Sequence, residues 1–298
     1  MELGMIGLGR MGANMTERLA RGGHRVVGYD RSPEAIQRVV EKGGVGARSL
    51  ADLIRQLAAP RAVWMMVPAG DPVDATIEQL LPHLTGGDIL VDGGNSNYKD
   101  SIRRAERLKS RGIYFVDAGT SGGIRGLEAG YCMMVGGDAD AVACLEPALR
   151  TLAPPEGWAH VGPHGAGHFA KMVHNGIEYG LLQAYGEGFE LLKSAPFAFD
   201  LQKMARLWNH GGVVRSWLLE LAEEAFKKDP ELASVRGYVE DTGEGRWAVI
   251  EAIERNVPAT ALAHSLFARF ASRQDESFAA RVIAALRREF GGHPVKTT

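Results

Sequence analysis

A chain of 298 residues with 45% apolar composition is long enough for two domains, each with its own core. Lysine plus arginine total 34 against 36 aspartate plus glutamate, a formal net charge of -2, so bulk electrostatics gives no case for nucleic acid or an anionic membrane. No apolar stretch is long enough to span a bilayer, and Met1 leads into Leu3-Gly-Met-Ile-Gly-Leu-Gly9 without the basic segment and apolar run of a signal peptide; a soluble cytoplasmic protein is expected.

The first half alternates short apolar runs with helical patterns, as a parallel α/β sheet requires. Strands are expected at Leu3–Gly7, Arg25–Tyr29, Ala62–Val67, Asp88–Asp92, Tyr114–Ala118 and Cys132–Val135, with helical character at Ala13–Arg21 and Ser101–Lys109. Cys132 and Cys144 lie in or near an apolar strand-like segment and read as reduced packing residues. They show no CxxC or histidine-cluster spacing, so no metal centre is expected. The run Val161-Gly-Pro-His-Gly-Ala-Gly167 is the natural joint. From about Gly165 onward, strand signals give way to amphipathic stretches rich in Ala, Leu, Arg and Glu, and the second half reads as all helix.

Gly7-Leu8-Gly9-Arg10-Met11-Gly12 follows the first expected strand and opens a helix, and Asp30 closes the second strand eighteen residues after Gly12. In that context the first glycine permits the tight turn, the second admits a pyrophosphate, and the third lets helix and strand pack closely. This is the pattern of a Rossmann domain binding NAD or NADP. Asp30 favours NAD, because its carboxylate accepts from a ribose 2′-hydroxyl and repels a 2′-phosphate. Arg31 beside it reads either as a surface residue or as a guanidinium for adenine or a 2′-phosphate. Val67 and Asn95, after the third and fourth strands, join the expected cofactor contacts.

Val91-Asp-Gly-Gly-Asn95-Ser96-Asn97 and Asp117-Ala-Gly-Thr-Ser121-Gly122-Gly123 both follow strands, where parallel sheets meet their ligands, although either alone can be an ordinary turn. Further on, Lys171, His174, Asn175 and Glu178 fall at i, i+3, i+4 and i+7, within roughly 100° of helical arc. Such a face is either a solvated polar stripe or an active site. Gly165, Gly167, Gly176 and Gly180 are poor helix formers that leave room for close approach.

Taken together, Lys171-Met-Val-His174-Asn175-Gly-Ile-Glu178-Tyr179, Asp92-Gly-Gly-Asn95-Ser96 and the Ser121-Gly-Gly123 turn closely resemble the 6-phosphogluconate dehydrogenase family, the decarboxylating enzymes of the pentose phosphate pathway. The likeness continues through Gly243-Glu-Gly-Arg-Trp247, Asn256-Val-Pro258, Phe267-Ala-Arg269 and Phe290-Gly-Gly-His293. The chain resembles a short form, without the duplicated part of the helical domain. The resemblance implies an α/β Rossmann domain over residues 1–163 and an all-α C-terminal domain over 164–298 for substrate binding and dimerisation.

It also implies roles. Lys171 would take the proton of the substrate's 3-hydroxyl, Lys171 and Asn175 would stabilise the enediolate as CO2 leaves, and Glu178 would protonate C1 to give ribulose 5-phosphate. For that chemistry Lys171 has to be neutral and Glu178 has to carry a proton. Asn95, Ser121, Gly122, Gly123, His174 and Asn175 would hold the carboxylate and hydroxyls, and Tyr179 and Arg269 the phosphate. Arg287 and His293 match tail residues that reach a neighbouring subunit's site, so a homodimer or homotetramer is implied. The sequence departs from the long enzymes at Thr242, where they carry a phosphate-binding lysine, so that either phosphate affinity is reduced or Arg246 or another cation substitutes, and at Pro68, which is given no role. Two alternatives remain at this level: a 3-hydroxyacid dehydrogenase without decarboxylation, and a non-catalytic nucleotide-sensing protein.

Overall fold

The computed structural model describes residues 1–296; Thr297 and Thr298, which end the expected helical half, lie outside the described residues. Among the described residues eight strands form one sheet: β1 (Glu2–Ile6), β2 (Arg25–Tyr29), β3 (Val45–Gly46), β4 (Ala62–Met65), β5 (Ile89–Asp92), β6 (Tyr114–Ser121), β7 (Cys132–Gly137) and β8 (Trp158–Gly162). Their order is β3-β2-β1-β4-β5-β6-β7-β8. β1 pairs in parallel with β2 on one side and β4 on the other, which is the switch point where a ligand crevice opens.

Alternate residues of each strand serve opposite faces. Leu3, Met5, Val26, Trp64, Val91 and Val116 enter one buried cluster, while Ile6, Val27, Val63, Met65, Leu90 and Phe115 enter another. A sheet apolar on both faces has to be covered on both, as in doubly wound folds. The helices of this half are α1 (Arg10–Arg21), α2 (Pro33–Glu41), α3 (Leu50–Arg55), α4 (Asp71–Leu80), α5 (Tyr98–Lys109), α6 (Gly126–Ala129) and α7 (Ala139–Leu152).

The sheet is not wholly parallel, as the strand pattern had suggested. β7 runs antiparallel to β6, and β8 is parallel to β7. The segment joining β6 to β7 holds only a 3-10 turn and the single-turn α6, too short for the crossover that a parallel neighbour needs. β3 and β8 escape a sequence reading because one has two residues and the other is an edge strand without a buried face. The two cysteines are not packing residues either: both are exposed thiols, Cys132 where β7 begins and Cys144 on the outer side of α7.

Six helices follow among the described residues: α8 (Ala166–Ser194), α9 (Leu201–Asn209), α10 (Trp217–Lys228), α11 (Glu244–Glu254), α12 (Thr260–Ala271) and α13 (Phe278–Gly291). The chain divides into two compact units, Met1–His174 and Asn175–Thr298, so the division falls inside α8. The second unit has a small apolar cluster of Phe189, Ala205, Leu219 and Phe226, with the Phe189 and Phe226 rings edge to face at 4.9 Å. α13 buries none of its residues. No helix among the described residues is long and apolar enough to cross a membrane.

Candidate active site

The chain turns out of β1 at Gly7, whose φ of +89° is readily adopted only without a Cβ. A Cβ there would stand 2.4 Å from the Met66 carbonyl oxygen, and one on Gly12 would stand 1.9 Å from the Gly7 carbonyl oxygen. Close approach of strand, loop and α1 therefore dictates both glycines. Around Gly9 the space is open, and this residue begins α1 without any side-chain bond to the helix amides. The amino end of α1 faces a cleft of about 830 Å³ lined by Gly7, Gly9, Arg10, Met11, Gly12, Asp30, Arg31, Val67 and Asn95, among others. Open glycine, uncapped amides and the positive end of a helix dipole fit a dinucleotide pyrophosphate.

Leu8 does not line this cleft. Its side chain is buried in the core, and its amide donates to Asp30 Oδ2 at 2.6 Å. The other oxygen of Asp30 accepts from the Ser32 amide at 2.9 Å. The carboxylate is thus fixed at the end of β2, and each oxygen keeps a lone pair for a ribose hydroxyl.

A residue that sequence reading passed over braces two of the cleft's loops. Arg104 on α5 is 1% exposed. Its Nε and Nη2 donate to Asp74 at 3.1 and 3.0 Å, Nη1 to Asp92 Oδ2 at 3.2 Å, and Nη2 to the Gly70 carbonyl at 3.0 Å. Ser96 Oγ donates to the same Asp92 oxygen at 2.7 Å. One guanidinium therefore ties the segment after β4, which carries Val67, to the segment after β5, which carries Asn95. The bonds from Arg104 hold the Asp74 carboxyl at about 2, well below the usual range. The available signal was an arginine in the buried stripe Ser101, Arg104, Ala105, Leu108.

α8 starts where Asp117, buried on β6, accepts from the Gly165 amide at 2.7 Å and the His168 amide at 2.8 Å. The helix then lies directly on the strand: a Cβ on Gly167 would meet the Asp117 carbonyl oxygen at 2.4 Å, and one on Gly119 would meet Lys171 Cβ at 2.4 Å. Lys171, 5% exposed, is pressed against β6 two residues before the Ser121-Gly122-Gly123 turn, whose glycines have φ of +128° and +53°. Along α8, Lys171 and Asn175 are buried and His174 and Glu178 half-buried, whereas Val173, Ile177 and Leu181 are exposed. Between Lys171 and Glu178 the polar side chains are withdrawn from solvent, together with Met172, while Val173 and Ile177 face it, so this stretch is not a solvated stripe.

In the second unit Tyr179 is buried, and the Arg269 guanidinium lies 3.4 Å from its ring centroid. A Cβ on Gly245 would stand 2.4 Å from that ring, so glycine lets α11 close on it. The Tyr179 hydroxyl accepts from the Thr242 amide at 3.3 Å. Arg287 on α13 and His293 beyond it are exposed, with His293 6.2 Å from the Phe290 ring. The structure thus unites Tyr179 with Arg269, and leaves Arg287 and His293 on an uncovered surface. An amine, an amide and a carboxyl on one inward helical face suit proton transfer to and from a bound substrate.

Comparison with known proteins gives a consistent picture. A sequence profile described as the NAD binding domain of 6-phosphogluconate dehydrogenase matches residues 2–162, and one for the C-terminal domain of that enzyme matches residues 167–292. An NAD(+)-dependent, decarboxylating 6-phosphogluconate dehydrogenase of Haloferax volcanii is 48% identical over 297 residues, covering 99% of this chain and 98% of its own. The structure of Plasmodium falciparum 6-phosphogluconate dehydrogenase, described with NADP+ and with 6-phosphogluconate, superposes with a TM-score of 0.83 at 29% identity. All of this chain is covered, but only 66% of that longer one. A 3-hydroxyisobutyrate dehydrogenase of Mycobacterium tuberculosis shares the fold, with a TM-score of 0.72 at 23% identity over 96% of this chain and 99% of its own.

Proposed function

The chain belongs to the 6-phosphogluconate dehydrogenase family, and from that membership we propose that it oxidises 6-phosphogluconate and decarboxylates the product to ribulose 5-phosphate and CO2, preferring NAD to NADP. Residues 1–163 serve the cofactor, and residues 164–298 serve the substrate and the dimer. The inward polar face of α8 carries the reading, because a simple alcohol oxidation does not call for a second proton donor beside Lys171.

Bound NAD supplies the acceptor for the hydride that leaves C3. Lys171 Nζ takes the proton of the 3-hydroxyl, and its burial against Gly119 keeps bulk water from competing. The same Nζ then donates to the ketone oxygen as CO2 departs, with the Asn175 amide as a second donor to the developing oxyanion. Glu178 delivers a proton to the carbon that has lost CO2, C2 of the substrate, which becomes C1 of ribulose 5-phosphate. Asn95, Ser121, Gly122, Gly123, His174 and Asn175 hold the carboxylate and hydroxyls, while Tyr179 and Arg269 hold the phosphate. Gly7, Gly9, Arg10, Met11, Gly12, Arg31, Val67 and Asn95 contact the cofactor, and Leu8 acts by fixing Asp30, whose carboxylate disfavours a 2′-phosphate.

A second copy of the chain covers α13. Phe278, Val282, Leu286 and Phe290 form one stripe along that helix, and all four are exposed, Phe278 at 75% and Phe290 at 77%. Apolar area of this kind marks an interaction surface, and burying it contributes roughly 25 cal/mol per Å². Arg287 and His293, carried by the same segment, complete the partner's site. The exposed thiols of Cys132 and Cys144 suit a reducing cytoplasm.

Initial-rate assays with 6-phosphogluconate or 3-hydroxyisobutyrate and either cofactor test the reading. Rapid NADH formation with 6-phosphogluconate is expected. Turnover of 3-hydroxyisobutyrate alone replaces the activity, and faster reduction of NADP overturns the use of Asp30.

A further inference from the structure

The expected phosphate clamp lacks a cation at Thr242, whose hydroxyl is occupied by the Glu244 carboxylate. Arg246, one of the substitutes the sequence offered, and Arg273, which it did not, lie close by. Arg246 donates to Asp241 through Nε at 2.8 Å and Nη2 at 3.2 Å, and Arg273 donates to Asp241 Oδ2 at 3.1 Å. Both guanidiniums also lie over the Phe270 ring, at 4.4 and 5.2 Å from its centroid. Asp241 and Phe270 thus hold the pair side by side.

This pair adjoins the Tyr179–Arg269 stack. Arg269 donates to the Glu240 carbonyl at 2.8 Å, and the Thr242 amide donates to the Tyr179 hydroxyl, so the residues on both sides of Asp241 are tied to the stack. The Arg246 guanidinium also feels the Tyr179 oxygen electrostatically, after its stronger bond to Asp241. Arg246 and Arg273 share the carboxylate of Asp241, while Arg269 is bonded to a backbone carbonyl and has no carboxylate partner among these residues. Asp241 uses two N–H donors of Arg246 and one of Arg273 from the five that each guanidinium carries. Donors remain for a further anion, and the Tyr179 hydroxyl keeps its own proton to donate. The Arg246 and Arg273 side chains are 49% and 26% exposed, so a ligand can reach them.

We infer that Arg246 and Arg273, held in place by Asp241 and Phe270, supply the phosphate-binding charge that Thr242 cannot, so that a phosphomonoester dianion is gripped by Arg246, Arg269, Arg273 and Tyr179. This rests on the activity proposed above. It makes the clamp a set of forked, preorganised donors instead of one flexible ammonium, and it selects phosphorylated over plain sugar acids.

Arg273→Gln tests it, together with the double variant Arg273→Gln, Thr242→Lys. Steady-state kinetics with 6-phosphogluconate and with gluconate, and calorimetric binding of 6-phosphogluconate, are the readouts. Arg273→Gln is expected to raise the KM for 6-phosphogluconate and weaken its binding roughly ten- to a hundredfold, as loss of a charged hydrogen bond does, with a much smaller change in kcat. The KM for gluconate moves far less, and the added lysine restores much of the loss. An unchanged KM for 6-phosphogluconate, or equal losses for the two sugar acids, overturns the arginine assignment. Wild-type protein that binds 6-phosphogluconate through Arg273 but does not oxidise it sinks the proposed reaction and leaves the clamp standing.

Discussion

The two compact units differ in where they put apolar and polar groups. In the first, apolar clusters cover both faces of the sheet, and the buried charges Arg104 and Asp92 brace loops at the cleft while Asp117 fastens the start of α8. In the second, the apolar cluster is small, and α13 exposes its whole apolar stripe. The first unit is a finished scaffold for a cofactor. The second leaves that stripe open, which is where the proposed second copy of the chain would bind.

The sharpest break in that contrast is expected on α8, whose polar face is turned inward. Lys171→Met should lower turnover on the order of a thousandfold while fluorescence titration finds NAD affinity unchanged. Retention of a large part of the activity would show that Lys171 is not the base. Glu178→Gln should slow turnover less severely and leave cofactor binding intact.

Next in size is the exposed stripe. If a second copy covers this stripe as proposed, wild-type protein should sediment as a dimer or larger, and Leu286→Asp combined with Phe290→Asp should give a smaller species with most activity lost and NAD still bound by the first unit. A variant that stays dimeric would place the interface elsewhere.

Within the first unit, Arg104→Met leaves the Asp92 carboxylate buried without its cation, a loss of about 3–5 kcal/mol in denaturant unfolding, and should weaken NAD binding through the loops of Val67 and Asn95. The acid limb sharpens this. Asp74 titrates at about 2 in the folded protein against 3.8 in its ordinary state, so its contribution is complete above the higher value and fades as pH falls toward the lower. In Arg104→Met that loss of stability below about pH 4 should flatten. An unchanged acid profile would show that the pair does not govern it.

The smallest effect is expected at Asp30. Asp30→Asn should narrow the ratio of NAD to NADP specificity roughly tenfold without changing kcat for NAD greatly. No change in the ratio would shift the discrimination to Arg31 or beyond.

Much of the first unit was legible in the sequence, because its glycines answer to backbone geometry. Gly7 and Gly12 are fixed by contacts under 3 Å, and such constraints leave a local pattern. Arg104 was not legible, since a buried arginine looks in sequence like any helical charge until Asp74 and Asp92 are seen around it. The reversal at β7 was missed because strand periodicity does not encode direction. The second unit announced its helices but not their surroundings: the periodicity of α13 is that of a helix packed on a core, and the described residues bury none of it. At Leu8 the motif did not disclose that the amide is bonded to Asp30.

The most direct test is the stoichiometry of CO2 release. With 6-phosphogluconate labelled at C1, one labelled CO2 should appear for each NADH formed, together with ribulose 5-phosphate. NADH without CO2 would contradict the roles of Asn175 and Glu178 and return α8 to simple alcohol oxidation.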